Sequence, residues 1–116
     1  MKRVYYLSTC NTCTRILKEL SLDDTFILQD VKKEPINANQ LETLYKLSGS
    51  YESLFNRRSM LYRERDLKNQ TLTEQDYKGF ILEHYSFLKR PVFIIDNAIF
   101  IGNSKKNIEA LKAHIL

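Results

Sequence analysis

Apolar residues follow two different rhythms along this chain, and the switches between them mark its elements. Arg3 to Ser8 is β-branched and aromatic around Val4-Tyr5-Tyr6-Leu7 and ends in small polar residues, which predicts a strand and then a loop. From Thr12 to Leu20, the apolar positions Cys13, Ile16, Leu17 and Leu20 recur at helical spacing, with Arg15, Lys18 and Glu19 on the other face. Ser21-Leu22-Asp23-Asp24 breaks that helix, and Thr25 to Val31 reads as a second strand. Strand, helix, strand implies a parallel βαβ unit with a right-handed crossover.

Helical rhythm then takes over. Asn37 with Gln40 three residues later forms a capping-box pattern ahead of Leu41, Leu44, Tyr45 and Leu47, and Gly49 is a natural stop. Tyr51 to Leu67 is less regular, which predicts short helices with an elbow at Arg57-Arg58-Ser59. Thr73 opens a further helix with Glu74 and Asp76 in its first turn and a stripe of Tyr77, Phe80, Ile81, Tyr85 and Leu88. After Arg90-Pro91, the runs Val92 to Asp96 and Ala98 to Gly102 surround Asp96-Asn97 and predict a β-hairpin. Ser104 starts a last helix that offers Ile108, Leu111, Ala113 or His114, and Ile115 for packing. The expected architecture is α/β, with βαβ and ββα halves separated by a helical insertion at about 37–89, in a single domain spanning 1–116.

Composition narrows the function classes. With 43% apolar residues over 116 positions, the chain can bury a core. Its net charge of +4 suits an anionic substrate or an acidic partner without demanding nucleic acid or a membrane surface. Val4 to Leu7 is too short for the apolar region of an export signal, and no segment is long enough to cross a membrane. The expected location is therefore cytoplasmic, where a close cysteine pair is reactive or metal-binding rather than a structural staple.

The chain has two cysteines, and they form Cys10-Asn11-Thr12-Cys13 between the first strand and the first helix. A first cysteine that caps a helix faces unpaired backbone N–H groups, which favour the nucleophilic thiolate. The alternative for Cys13 is that it packs as a small apolar residue. Zinc needs four ligands, and His84 and His114 supplement the pair at no finger-like spacing, so no metal site is expected. Arg57, Arg58, Arg63 and Arg65 read from composition as a solvated face.

The order of elements, with a Cys-x-x-Cys after the first strand and a proline at the start of the third, is the thioredoxin-like pattern. Ser8 to Cys13, Asn56-Arg57-Arg58-Ser59, Leu88 to Val92 and Phe100-Ile101-Gly102 together resemble the glutaredoxin-coupled arsenate reductase family and its Spx regulator relatives. The resemblance implies that Cys10 is the nucleophile, attacking an oxyanion or a thiol-linked substrate. It implies that Arg58 and Arg90 hold the anion and that Pro91 is a cis proline beside the sulfur. The backbone of Asn11, Thr12 and Cys13 would add N–H donors to the anion cradle. Cys13 would resolve the adduct, or glutathione or a glutaredoxin would do so, with no tightly bound cofactor. Where the enzymes carry a third anion-binding arginine, this chain has Gly102-Asn103-Ser104, as the Spx-like branch tends to. The regulator alternative makes Cys10/Cys13 a redox switch and the C-terminal domain of the RNA polymerase α subunit the partner.

Overall fold

The computed structural model describes residues 1–115. They form two compact units, one of Met1–Glu34 with the segment from Arg90 onward, the other of Pro35–Lys89. The second unit is inserted in sequence between the halves of the first.

The first unit is built on four strands, β1 (Lys2–Tyr6), β2 (Ile27–Asp30), β3 (Val92–Ile95) and β4 (Ala98–Ile101), in the order β2-β1-β3-β4. β1 runs parallel to β2 and antiparallel to β3, and β3 and β4 form an antiparallel hairpin. The parallel β1/β2 pair needs a crossover, which helix α1 (Asn11–Leu20) supplies. Each of the four residues of β3 is buried, which is why that strand reads as a continuous apolar run rather than an alternation. Val4, Phe93, Ile95 and Leu111 form the core, with Leu17 and Leu20 of α1, Phe26, Phe100 and Ile115 packed against it. Leu111 and Ile115 belong to the last helix, α5 (Lys105–Ile115), whose first turn Ser104 caps by accepting the Asn107 N–H at 3.1 Å. At the hairpin, Asp96 takes a positive φ of 55°, the left-handed geometry that a two-residue turn demands.

β2 is shorter than the sequence pattern predicts. The Asp23 carboxylate accepts hydrogen bonds from the Thr25 N–H at 3.0 Å and from the Thr25 hydroxyl, so Thr25 is held in a turn rather than a ladder. At the other end the Asp30 carbonyl accepts from Lys33 and Glu34, at 3.1 and 2.8 Å, and closes the strand.

In the second unit, helix α2 (Ala38–Ser48) carries the expected capping box. Asn37 accepts from Gln40 N at 2.8 Å, Gln40 Oε1 accepts from Asn37 N at 3.1 Å, and Gly49 ends the helix at φ 81°. A short helix α3 (Met60–Glu64) and 3₁₀ turns at Glu52–Leu54 and Leu67–Asn69 account for the irregular middle. Helix α4 (Glu74–Glu83) starts at a Thr73/Asp76 capping box but stops earlier than the stripe through Tyr85 and Leu88 predicts. His84 is extended, at φ −151° and ψ 137°, and its side chain accepts from Ser86 N at 3.1 Å, capping a new 3₁₀ turn over Tyr85–Phe87. That change of direction sends Phe87 rather than Tyr85 into the core. Phe55 lies at its centre, with ring centroids of Tyr77, Phe87, Tyr62 and Phe80 at 4.8, 5.5, 5.8 and 6.1 Å. Among the described residues, no helix is long and apolar enough to cross a membrane.

Candidate active site at the start of α1

β1 ends at Tyr6, and the loop that follows delivers Cys10 to the N-cap position of α1 with extended backbone, φ −94° and ψ 111°. Two main-chain bonds set this loop: Cys10 N donates to Leu7 O at 3.0 Å, and Thr14 N donates to Cys10 O at 3.1 Å. Cys10 is therefore half outside the helix, where the first-turn amides have no helical partner. Its side chain closes no complete capping bond, yet the first-turn amides of Thr12 and Cys13 still favour a negative charge on the sulfur.

The two thiols differ. Partial burial works against ionisation of Cys10, but the main-chain N–H of Cys13, the Cys13 thiol, the Arg90 charge and the Thr12 N–H together hold its pKa below the ordinary thiol value. Cys13 is fully buried, and burial pushes its thiol up to about 11, against the downward pull of the Leu7 main chain and, less strongly, of Arg90, and with added upward pressure from Cys10. At neutral pH, Cys13 is thus a proton-bearing donor toward a sulfur that ionises more readily. Asn11 is exposed and Thr12 half-buried at the mouth of the helix.

Arg90 and Pro91 come from the other half of the chain. The Arg90–Pro91 peptide bond is cis, as the resemblance implies. Arg90 is half-buried, and its charge acts on both cysteines. Pro91 is buried, and its carbonyl accepts from Gly102 N at 2.8 Å. Gly102 has φ +88°, and its own carbonyl accepts from Asn107 Nδ2 at 2.8 Å. The Gly102-Asn103-Ser104 segment is thus committed to the proline loop and to the start of α5.

Arg58 stands in the second unit, exposed, in the Asn56–Ser59 elbow, where its N–H donates to Asn56 Oδ1 at 3.1 Å. Two of its neighbours in the basic cluster, Arg57 and Arg65, have structural duties within that unit. Arg57 pairs with Glu52 at 2.6 Å, and Arg65 grips both oxygens of Glu83 at 3.1 and 2.5 Å. Of the two histidines, His84 caps the turn described above, and His114 lies against Phe100 at 5.3 Å between ring centroids. Among the described residues, no group of three or more His, Cys, Asp and Glu side chains is placed to hold a metal.

Sequence reasoning missed Asp30. Its carboxylate is buried at the end of β2 and accepts from Ser8 Oγ at 2.5 Å, Ser8 N at 3.4 Å and Lys32 N at 3.2 Å. Burial opposes its charge, but the bonds from Ser8 and Lys32 and the nearby Lys33 outweigh that and hold its pKa below the usual carboxylate value. Ser8 lies two residues before Cys10, so Asp30 anchors the loop that carries Cys10. An acidic residue beside Gln29 at the end of a strand was the available signal, but it does not specify a partner 22 positions away.

Asp30→Ala leaves two Ser8 donors and one Lys32 donor without their acceptor, and an expected loss of about 1–3 kcal/mol in urea unfolding at pH 7 follows. Because the folded-state pKa of Asp30 is lowered, its contribution exists above the unfolded carboxylate pKa and disappears as pH falls through the folded value. Wild type and variant should therefore converge in stability on acidification; a gap that stays constant down to acid pH would refute this account.

Known proteins resemble this chain over most of its length. The chain is 19% identical over 110 residues to the global transcriptional regulator Spx of Bacillus subtilis (strain 168), covering 93% of this chain and 84% of that protein. It resembles the solution structure of an arsenate reductase (ArsC) related protein from Brucella melitensis at 24% identity and a TM-score of 0.70, with 94% and 92% of the two chains covered. It also resembles the structure of arsenate reductase from Vibrio cholerae at 16% identity and a TM-score of 0.75, over 96% and 95% of the chains. These structural likenesses establish the thioredoxin-like α/β fold with its insertion. A model of the ArsC family matches residues 5–111, nearly the whole chain, and the protein belongs to the ArsC family.

Proposed function

We propose that the protein is a cytoplasmic thiol oxidoreductase of the arsenate reductase type, with Cys10 as nucleophile. The observation that carries this reading is the unequal cysteine pair under Arg90: one thiol made acidic at a helix start, the other buried and protonated beside it. The Cys10 thiolate attacks the central atom of an oxyanion such as arsenate and displaces one oxygen as water. Arg90 and the first-turn amides at Asn11, Thr12 and Cys13 offset the added negative charge. Two thiols then supply the two electrons that take arsenate to arsenite. Cys10 is one, and Cys13, glutathione or a glutaredoxin is the other; the resulting disulfide is finally reduced by glutathione. Arg58 keeps the anion-holding role that its sequence match implies.

A second reading has specific support. The Spx relative, the Cys10/Cys13 spacing and a Gly102-Asn103-Ser104 segment occupied by structural bonds all suit a regulator whose pair senses oxidation. Its partner would be the C-terminal domain of the RNA polymerase α subunit. The two readings part in one set of measurements: arsenate-dependent consumption of glutathione, with and without glutaredoxin, beside binding to the polymerase domain before and after oxidation. Turnover that requires Cys10 supports the enzyme. No turnover together with tight, oxidation-dependent binding eliminates it in favour of the regulator.

A further inference from the structure

A line of three polar side chains joins the Asn56–Ser59 elbow to the Tyr85–Phe87 turn. Ser59, only 4% exposed, has its Oγ 2.8 Å from Ser86 Oγ, which in turn lies 2.8 Å from His84 Nδ1. The main-chain donors at the two ends decide which way the protons point. A main-chain N–H can only donate, and His84 Nδ1 accepts the one from Ser86 at 3.1 Å. Nδ1 therefore presents its lone pair, and the ring proton of the neutral imidazole sits on Nε2, a tautomer assigned from the donors around it. The Ser86 hydroxyl has one proton and must aim it at Nδ1, because two acceptors facing each other at that distance would repel. Ser86 Oγ then accepts from the Ser59 hydroxyl, and Ser59 Oγ accepts from the Leu61 N–H at 3.2 Å. The line runs one way, from Leu61 N–H through Ser59 and Ser86 to His84.

The other end of the elbow is tied to the same turn. Asn56 Nδ2 donates to Ser86 O at 3.0 Å, Asn56 N donates to Phe87 O at 2.8 Å, and Asn56 Oδ1 accepts from the Arg58 N–H at 3.1 Å. The residue two before Arg58 and the residue after it are thus both bonded to Ser86, and Ser86 is held by His84. Arg58 itself is exposed in a turn between the elements, so these bonds rather than a helix or a strand set the direction of its backbone.

We infer that His84, in its Nε2–H tautomer, is a positioning residue that fixes the Arg58 elbow through Ser86 and Ser59. Its consequence for the anion rests on the reading of Arg58 as an anion-holding residue. The role requires an acceptor at Nδ1 and not the ring as such.

Two variants separate the acceptor from the bulk. His84→Asn keeps an acceptor oxygen bonded to Cγ where Nδ1 was, and loses the ring. His84→Leu keeps apolar bulk against Tyr85, whose ring stacks on His84 at 4.4 Å between centroids, and has no acceptor. Amide hydrogen exchange of the full chain, read by NMR, should speed by about tenfold or more at Arg58, Leu61 and Ser86 in His84→Leu. It should stay near wild type in His84→Asn, and Leu41 and Leu44 of α2 should be unchanged in both. Ring nitrogen shifts of wild type at about pH 8 should show a bare Nδ1 and a protonated Nε2. Arsenate is then titrated into Cys10→Ser protein, where no attack at position 10 occurs, and followed at the Asn11 and Thr12 amides. Arg58→Ala should weaken binding about tenfold. His84→Leu should weaken it in the same direction, His84→Asn should restore it, and His84→Leu should add nothing on top of Arg58→Ala. The opposite tautomer overturns the proposal. So does exchange that is disturbed equally in both His84 variants or in neither, and so does binding that responds to Arg58→Ala but not to His84→Leu. If the exchange pattern holds while Arg58→Ala leaves arsenate binding unchanged, the anion-holding reading of Arg58 fails and the fixing of the elbow by His84 is upheld.

Discussion

Replacing Cys10 with serine should remove the fast thiol chemistry proposed for this protein. Cys13 does not substitute for it: a buried thiol at about 11 carries a thiolate fraction of only about one in ten thousand at pH 7. Cys10, held below the ordinary thiol value, is the far more ionised of the two, and only thiolate attacks. Labelling of the folded protein with iodoacetamide should therefore slow by at least about a hundredfold in Cys10→Ser, and any arsenate-dependent turnover should vanish with it. The complementary variant, Cys13→Ala, removes the thiol that donates to Cys10. The pH profile of Cys10 labelling should then shift upward while labelling itself persists. Rapid labelling at neutral pH in Cys10→Ser would show that Cys13, not Cys10, is the reactive sulfur.

The largest loss of stability is expected at Phe55. Its ring is fully buried among Tyr62, Tyr77, Phe80 and Phe87, with the Phe87 ring stacked at an interplanar angle of 11°. Phe55→Ala removes the shared centre of that cluster and leaves a cavity bounded by rings that cannot all collapse into it. A cost of about 3–5 kcal/mol is expected, a large part of the about 5–15 kcal/mol that holds a typical domain folded. Urea unfolding followed by tyrosine fluorescence should show it as a lower midpoint, whereas Cys10→Ser, at a half-exposed position, should leave the midpoint nearly unchanged. A loss below about 1 kcal/mol would mean that the second unit does not depend on this cluster.

The elements most visible in the sequence are those whose determinants are local. Asn37 and Gln40 cap α2 through bonds three residues apart, and Thr73 does the same for α4 with Asp76, so both starts could be placed from the pattern alone. Helix ends and strand limits depended on competing side-chain bonds. Asp23 withdrew Thr25 from β2, and His84 stopped α4 and turned Phe87 inward, although the apolar stripe continued to Leu88. Periodicity records which positions are apolar, but it does not register a carboxylate or an imidazole that captures a backbone N–H.

The candidate site divides in the same way. Cys10-Asn11-Thr12-Cys13 after an apolar strand marked a reactive helix start because spacing of three and the strand-to-helix junction are properties of adjacent residues. The sequence alone also determined the α/β order and the presence of an insertion. That the two sulfurs are unequal was left to the tertiary structure, because the inequality comes from burial of one thiol and from Arg90, which reaches them from 80 positions away from Cys10. The anchoring of Ser8 by Asp30 and the line from Ser59 through Ser86 to His84 were likewise decided there. Desolvation and strand order are set by what packs around a residue, and chain-distant neighbours leave no spacing to read.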